Sequence, residues 1–258
     1  MNDWRFAYAS VTGSAHQNQS TECQDRFLCE SVATPSGDVL IAVVADGAGS
    51  TTAGQHGAEA ACSLFRDTVV DFLNTKNASV RSLNLEFGKL WVGFLRNRIA
   101  GLASESGKEI REYASTVIGT VVGDDVAAFF QVGDGGAVYS LTGEVESFEF
   151  AIPPQDSEYV NVTEFVTDDF AEGAVRFALI DARIEDVVLF SDGIYAVAVD
   201  YQSNRPHEPF LKPMIAPLRN PNGTPERLNE KLEAFLSSPK LNEKTDDDKT
   251  IILASRAQ

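Results

Sequence analysis

The order of apolar runs along this chain predicts an α+β protein, with antiparallel sheets carrying helices on their outer faces. Three observations support that reading. Short β-branched and aromatic runs bounded by glycine recur, which is the pattern of buried strands. Compact turn signals separate successive strand runs, as antiparallel pairs require. The long helical stretches come as a consecutive pair and do not alternate with strands, which disfavours a doubly wound parallel sheet. The 258 residues suffice for a sizeable core. With no linker or internal repeat, one domain over residues 1–258 is expected.

Trp4 to Val11 alternates loosely, with Trp4, Phe6 and Tyr8 set against Arg5, Ala7 and Ala9, and reads as a strand. Polar Thr12 to Glu22 reads as a loop. Phe27 to Val32 is a second strand, and Pro35 to Asp38 turns into a third that begins at Val39. A small-residue loop, Gly47 to Gly54, precedes a helix whose apolar stripe is Ala58, Ala61, Leu64, Phe65, Val69, Phe72 and Leu73. A second helix carries Leu83, Phe87, Leu90, Trp91, Phe94, Leu95, Ile99 and Leu102. Ser115 to Val122 and Val126 to Val132 pair around Gly123-Asp124-Asp125. Val138 to Leu141 and Val145 to Phe150 pair around Thr142-Gly143-Glu144. Pro153 to Gly173 is long, acidic and aperiodic, and a loop of that length is usually functional or mobile. Thr224 is the expected N-cap of a helix with Pro225 in its first turn, lined by Leu228, Leu232, Phe235 and Leu236. Thr250 to Ala254 is the last strand.

A net charge of −17 argues against nucleic acid or an anionic membrane surface as a partner. It leaves room for a phosphorylated substrate if metals neutralise the site locally. Three cysteines, Cys23, Cys29 and Cys62, with no close pair, suggest reduced thiols and a cytoplasmic location. No apolar stretch reaches transmembrane length. The N-terminal residues lack the form of a signal peptide.

The strand ends carry the chemistry. Val39 to Ala45 runs into Asp46-Gly47, Val126 to Gly133 into Asp134-Gly135-Gly136, and Val187 to Ser191 into Asp192-Gly193. In mirror image, Asp246-Asp247-Asp248 opens the final strand. A single Asp-Gly after a strand is ordinarily just a turn. Three copies plus an acidic strand start place carboxylates together where a packed sheet meets a cleft, and such groups repel one another and resist ionising. A bound divalent cation relieves that repulsion. Oxygen ligands select magnesium or manganese, whereas His16, His56 and His207 show no zinc spacing. Two such ions would activate a water and clamp phosphate oxygens. Gly47 to Gly54 lacks the P-loop lysine, and no G-x-S-x-G elbow is present, so neither a nucleotide loop nor a serine hydrolase is supported. Asp46-Gly47-Ala48 also lacks the Asp-x-Asp of a haloacid-dehalogenase-type phosphatase.

The ordered set Cys23-Gln24-Asp25, Val44-Ala45-Asp46-Gly47-Ala48-Gly49, Ser115-Thr116, Val132-Gly133-Asp134-Gly135, Phe190-Ser191-Asp192-Gly193 and Asp247-Asp248-Lys249-Thr250 resembles the protein phosphatase 2C family, most of all its compact stand-alone bacterial members. The resemblance covers nearly the whole chain. It implies a four-layer α-β-β-α sandwich with metals between loops at one edge of two antiparallel sheets. It also implies a manganese- or magnesium-dependent serine/threonine phosphatase that attacks phosphoserine and phosphothreonine with a metal-bridging hydroxide. Carried over by position, Asp46 would bridge two metals, the Gly47 carbonyl would bind one, and Asp192 and Asp247 would complete the pair. Asp25 would act through water, and Asp134 with Asp192 would serve a third, weaker ion. Ser115 and Thr116 match a strand-packing pair, and the loop Pro153 to Gly173 falls where the family carries its substrate flap. The partner would be a phosphoprotein made by a serine/threonine kinase, and the chain a monomer.

Three departures bear on this. Ser20 stands where the family has a phosphate-gripping arginine, Gln24 where it has glutamate, and Ala48 where some members have a histidine acid. His16, in the loop before Asp25, is the catalytic candidate to supply a proton or a phosphate contact. The alternative is a catalytically weak phosphatase-like module that binds a phosphoprotein. The missing arginine favours it, and the retained aspartates oppose it.

Overall fold

The computed structural model describes residues 4–143, 147–154, 163–220 and 225–257. The chain opens with β1 (Trp4–Val11), α1 (Ser14–Gln19), β2 (Arg26–Thr34) and β3 (Gly37–Ala45). Two long helices follow, α2 (Gly54–Leu73) and α3 (Leu85–Ser106). The middle is β4 (Val117–Val122), β5 (Ala127–Val132), β6 (Gly136–Leu141), β7 (Glu149–Phe150), β8 (Arg176–Ile180) and β9 (Ile184–Phe190). Then come α4 (Tyr195–Ala198), the small hairpin β10 (Val199–Asp200) and β11 (Arg205–Pro206), and α5 (Glu208–Arg219), α6 (Pro225–Leu236) and α7 (Pro239–Asn242). The last strand is β12 (Lys249–Arg256).

Two five-stranded sheets result, in the orders β1-β12-β9-β6-β7 and β2-β3-β4-β5-β8. Every pairing in them is antiparallel. The first and last strands are neighbours over their full length, from Trp4 opposite Arg256 to Val11 opposite Lys249.

Alternation along each central strand assigns the layers, since successive side chains leave a strand on opposite faces. From β3, Val39, Ile41 and Val43 pack with Phe65 and Val69 of α2 and Trp91 and Leu95 of α3. Leu40, Ala42 and Val44 point the other way, to Phe129, Leu189 and Ile252 between the sheets. From β12, Ile251 and Leu253 pack with Leu211 and Ile215 of α5 and Leu232 and Leu236 of α6. The four layers are therefore α2/α3, sheet, sheet and α5/α6, the sandwich that the resemblance implies. Strands covered on both faces read as unbroken apolar runs, which is why those runs were legible. Aromatic edges lock the helical layer to its sheet: the Phe65 ring meets Trp91 edge-on at 5.0 Å and Phe130 at 5.9 Å.

The structure departs from the sequence reading in several elements. The expected loop Thr12 to Glu22 contains α1, which lacks an apolar stripe and is held by contacts to the far end of the chain. Leu90 and Phe94, placed on the buried stripe of the second helix, are 63% and 56% exposed. Ser115 and Thr116 precede β4, and Ser115 bridges Gly47. β8, α5 and α7 had no counterpart in the reading. Pro213 and Pro217 lie inside α5 and mask it, because interior proline opposes helix. Burial of Leu211, Ile215 and Leu218 outweighs that cost. Of the expected strand Val145 to Phe150, Glu149–Phe150 is strand, while residues 144–146 lie outside the described residues. The expected N-cap Thr224 and the middle of the Pro153 to Gly173 loop, residues 155–162, lie outside them as well.

The seating of α2 gives a test. A Cβ on Gly57 would land on the Tyr113 carbonyl oxygen, which is backbone and cannot step aside. Gly57→Ala should destabilise the protein by about 2 kcal/mol or more, as overpacking of a tight contact does. Urea unfolding monitored by tryptophan fluorescence would measure it. An unchanged midpoint would mean that α2 is not seated this closely.

Candidate active site

The antiparallel register gathers the acidic strand ends at one edge of the sandwich. Arg26 pairs with Ala45, so Asp25 and Asp46, one residue beyond that pair, leave the same end of their strands. Ile251 and Gly136 both pair with Phe190, which brings Asp134, Asp192 and the Asp247-Asp248 start of β12 to the corresponding end of the other sheet. Thr116 N–H donates to the Asp46 carbonyl at 2.8 Å, and Gly47 N–H to the Gln24 carbonyl at 3.3 Å, fixing the chain as it leaves β3. A Cβ on Gly47 would collide with the backbone of Gly54, so only glycine fits there.

The electrostatics are those of repelling acids. Burial pushes the Asp25 carboxyl up to about 6, and the nearby Asp248 charge adds to this against hydrogen bonds from Thr250 and Ser191. Asp46 is raised well above the ordinary carboxylate range, by burial first and then by the charges of Asp25, Asp192 and Asp247. Asp192 is raised to about 7 by burial, with Asp247 and Asp134 contributing. Asp247 is raised by burial. The Asp25 Oδ2 accepts a hydrogen bond from Ser191 Oγ at 2.8 Å, whereas Asp25 Oδ1 and Asp192 Oδ1 are buried without a partner. Unpaired buried carboxylate oxygens are costly unless a cation meets them. Among the described residues, no three His, Cys, Asp or Glu side chains stand in finished coordination geometry. The mutual repulsion and the two orphaned oxygens nevertheless fit an oxygen-ligated divalent ion.

Asp134 sits on a turn with glycine at φ +86° on either side. Its Oδ2 accepts from Thr163 Oγ1 at 2.9 Å. The Gln131 side-chain amide donates to the Gly133 and Gly135 carbonyls at 3.1 and 3.2 Å.

His16 is buried on α1 with Nδ1 2.9 Å from Asp248 Oδ2. Its other nitrogen faces the loop after Asp46, where a Cβ on Gly49 would lie 3.1 Å from Nε2. Asp248 also accepts from Gly13 N–H at 2.7 Å and Gln24 N–H at 2.6 Å. The structure thus brings His16 to the edge that holds Asp25, Asp46 and Asp247. Ser20 ends α1 in the left-handed conformation, φ 56°, with its side chain exposed. Sequence reasoning missed three contributors: Ser191 as the partner of Asp25, Asp248 as the anchor of α1, and Arg176, which donates to the Gly133 carbonyl at 2.8 Å. Asp248 carried a signal in the acidic run and Ser191 one in the Phe190-Ser191-Asp192-Gly193 motif, whereas Arg176 carried none.

The family model for protein phosphatase 2C matches residues 12–237. The chain is 33% identical over 260 residues to Serine/threonine-protein phosphatase 3 of Escherichia coli (strain K12), covering 99% of each. The S. agalactiae serine/threonine phosphatase superimposes with a TM-score of 0.64 at 14% identity, covering 98% of this chain and 99% of that one. The catalytic domain of the serine threonine protein phosphatase PstP, in complex with 2 manganese ions, superimposes with a TM-score of 0.59 at 12% identity, covering 99% of both. These structures share the fold, and the family match spans most of the sequence: the chain belongs to the protein phosphatase 2C family.

Proposed function

We propose that this chain is a divalent-metal-dependent phosphatase that hydrolyses phosphoserine and phosphothreonine in proteins, its residues 1–258 acting as one catalytic unit. The observation that carries the reading is the set of mutually repelling aspartates at one sheet edge, with buried oxygens lacking partners on Asp25 and Asp192. Asp46, the Gly47 carbonyl, Asp192 and Asp247 would hold two manganese or magnesium ions, with Asp25 behind them and Asp134 serving a weaker third. Bound there, such ions would supply an activated water and neutralise phosphate oxygens. The chain's own residues hold the geometry. Ser191 orients Asp25, and Thr116 fixes the backbone of Asp46. His16, with Nδ1 2.9 Å from Asp248, has its Nε2 beside the loop beyond Asp46, where it would meet a phosphate or a leaving oxygen. The likeness to a manganese-bound structure supports the metal choice. The substrate would be the product of a serine/threonine kinase, met by a monomer in the cytoplasm. A weakly active phosphoprotein-binding module is the second reading, favoured by Ser20 in place of the expected arginine.

Asp46→Ala, Asp192→Ala and Asp247→Ala should each lower turnover of an aryl phosphate in manganese by at least about a hundredfold, the upper end of what outer-shell partners cost. Asp134→Ala should lower turnover while calorimetry still records two tight ions. Full activity of Asp46→Ala at low manganese would exclude the two-ion site.

Stability should follow the raised carboxyls. Ordinary carboxylates titrate near ~4 unfolded, whereas Asp25 and Asp192 titrate at about 6 and about 7 in the fold. The folded state therefore binds more protons, and this contribution is full below pH ~4 and lost as pH rises through 7. Metal-free protein should melt at a higher temperature near pH ~5 than near pH ~8, and manganese should close the gap by stabilising the alkaline sample. A metal-free melting temperature that rises with pH would contradict this electrostatic picture.

His16→Ala should raise the Michaelis constant for a small phosphate ester, or lower turnover with an altered pH profile. Kinetics identical to those of the unaltered protein would remove His16 from the site.

A further inference from the structure

Arg176 has a place in the fold that phosphate hydrolysis by the aspartates does not explain. It lies on the edge strand β8, half-buried, beside the turn that carries Asp134. Its Nη2 donates to the Gly133 carbonyl at 2.8 Å and its Nη1 to the Pro153 carbonyl at 3.1 Å. Its Nε is buried and has no partner. Asp134, Glu164 and Tyr195 are the ionisable groups within its electrostatic reach. With Gln131 taking the Gly133 and Gly135 carbonyls from within, the carbonyls flanking Asp134 are spoken for. The turn thus offers a cation little besides the Asp134 carboxylate, and that carboxylate already accepts from Thr163.

A guanidinium next to a carboxylate can do one of two things here. It could bind substrate phosphate in place of the arginine absent at Ser20. That role would need the fork aimed at the substrate, yet each terminal nitrogen points a hydrogen at a backbone carbonyl and the Nε is shut away from solvent. The other role is to compete with a metal ion. A fixed positive charge beside Asp134 offsets part of the negative charge that would attract a divalent cation. The same group links the turn to Pro153, with one hydrogen bond to the Gly133 carbonyl and one to the Pro153 carbonyl.

We infer that Arg176 is a positioning residue that sets the cation affinity of the Asp134 position, tying its turn to Pro153 through one hydrogen bond to each while its charge keeps the ion weakly bound. This rests on the reading of Asp134 as a metal ligand. It gives that position a physical reason to hold an ion weakly. An ion held this loosely fills at high metal concentration, or when a substrate phosphate adds its own oxygens.

The test is calorimetric titration of manganese into metal-stripped protein, comparing the unaltered chain with Arg176→Gln, Arg176→Lys and Asp134→Asn. The unaltered chain should show a weak event beyond the tight ones, absent in Asp134→Asn. Arg176→Gln should tighten that weak event about tenfold, the size expected of a unit charge acting on a divalent ion across a partly wet site. Arg176→Lys keeps the charge and should leave it near its original strength. The tight events are the internal reference, because a merely structural role for Arg176 would disturb all of them together. A weak event that is lost in Asp134→Asn yet unchanged or weaker in Arg176→Gln overturns the inference alone. Equal tightening in the glutamine and lysine variants overturns it too, since charge would then not be the cause. No weak event in the unaltered chain, or one that survives Asp134→Asn, overturns the reading of Asp134 and the inference with it.

Discussion

Everything at the active edge depends on one electrostatic constraint, the repulsion among aspartates that the two sheets force together. Asp46 feels Asp25, Asp192 and Asp247, and burial disfavours the charged form of each. A loose scaffold would relax by letting the side chains swing apart. This one cannot, because Asp46 and Asp192 follow the buried strands β3 and β9, and Asp25 leads an edge strand paired along its length with β3. Interior packing resists such adjustment. The fold therefore stores the repulsion instead of dissipating it, and a divalent cation bound there would release it. The same arrangement explains why much of the edge is short-range glycine turns. Large side chains there would widen the gaps between carboxylates and weaken their shared demand for a cation.

The parts of this that were legible in the sequence are those written in local pattern. Val39 to Ala45, Val126 to Val132 and Val187 to Phe190 read as buried strands because both faces are covered, and Asp-Gly at their ends marked the cleft. The paired long helices identified the layered class. What remained hidden depends on contacts between distant residues. α1 has no stripe of its own and exists because Asp248, more than two hundred residues away, accepts from Gly13 at its start. α5 breaks a local rule at Pro213 and Pro217 and is rescued by packing against β12. Arg176 is one arginine in an unremarked edge strand until the fold sets it against Gly133. Leu90 and Phe94 show the opposite failure: helical spacing marks a stripe but cannot say how wide a face the sheet will cover.

The absent arginine at Ser20 is best understood through the small helix that ends there. In this chain α1 is short, and Ser20 closes it in a left-handed conformation at the surface. The polar side chain that α1 sends inward is His16, whose ring faces Gly49. The segment before Asp25 thus still supplies one nitrogen-bearing group to the edge, from one helical turn earlier and from the buried side of the helix. The ring is buried, with its other nitrogen 2.9 Å from Asp248.

The run Asp246-Asp247-Asp248 shows how three adjacent acids of one type come to do three different things. Asp246 is exposed, and its carbonyl receives Ala15 N–H at 2.9 Å, tying α1 down through backbone alone. Asp247 turns toward the repelling cluster, and its carboxyl is raised by burial. Asp248 is fully enclosed, yet its oxygens receive two backbone N–H groups and lie against an imidazole. Hydrogen bonds to a carboxylate are strong when the donors are fixed in advance, so Asp248 has its partners within the protein. Asp25 and Asp192 each keep an oxygen without one. Composition cannot distinguish these cases, because the residue and its exposure to other acids are alike. The distinction lies in how fully donors are supplied: the backbone gives two to Asp248, which anchors α1, and one to Asp247, while an oxygen of Asp25 and one of Asp192 receive none.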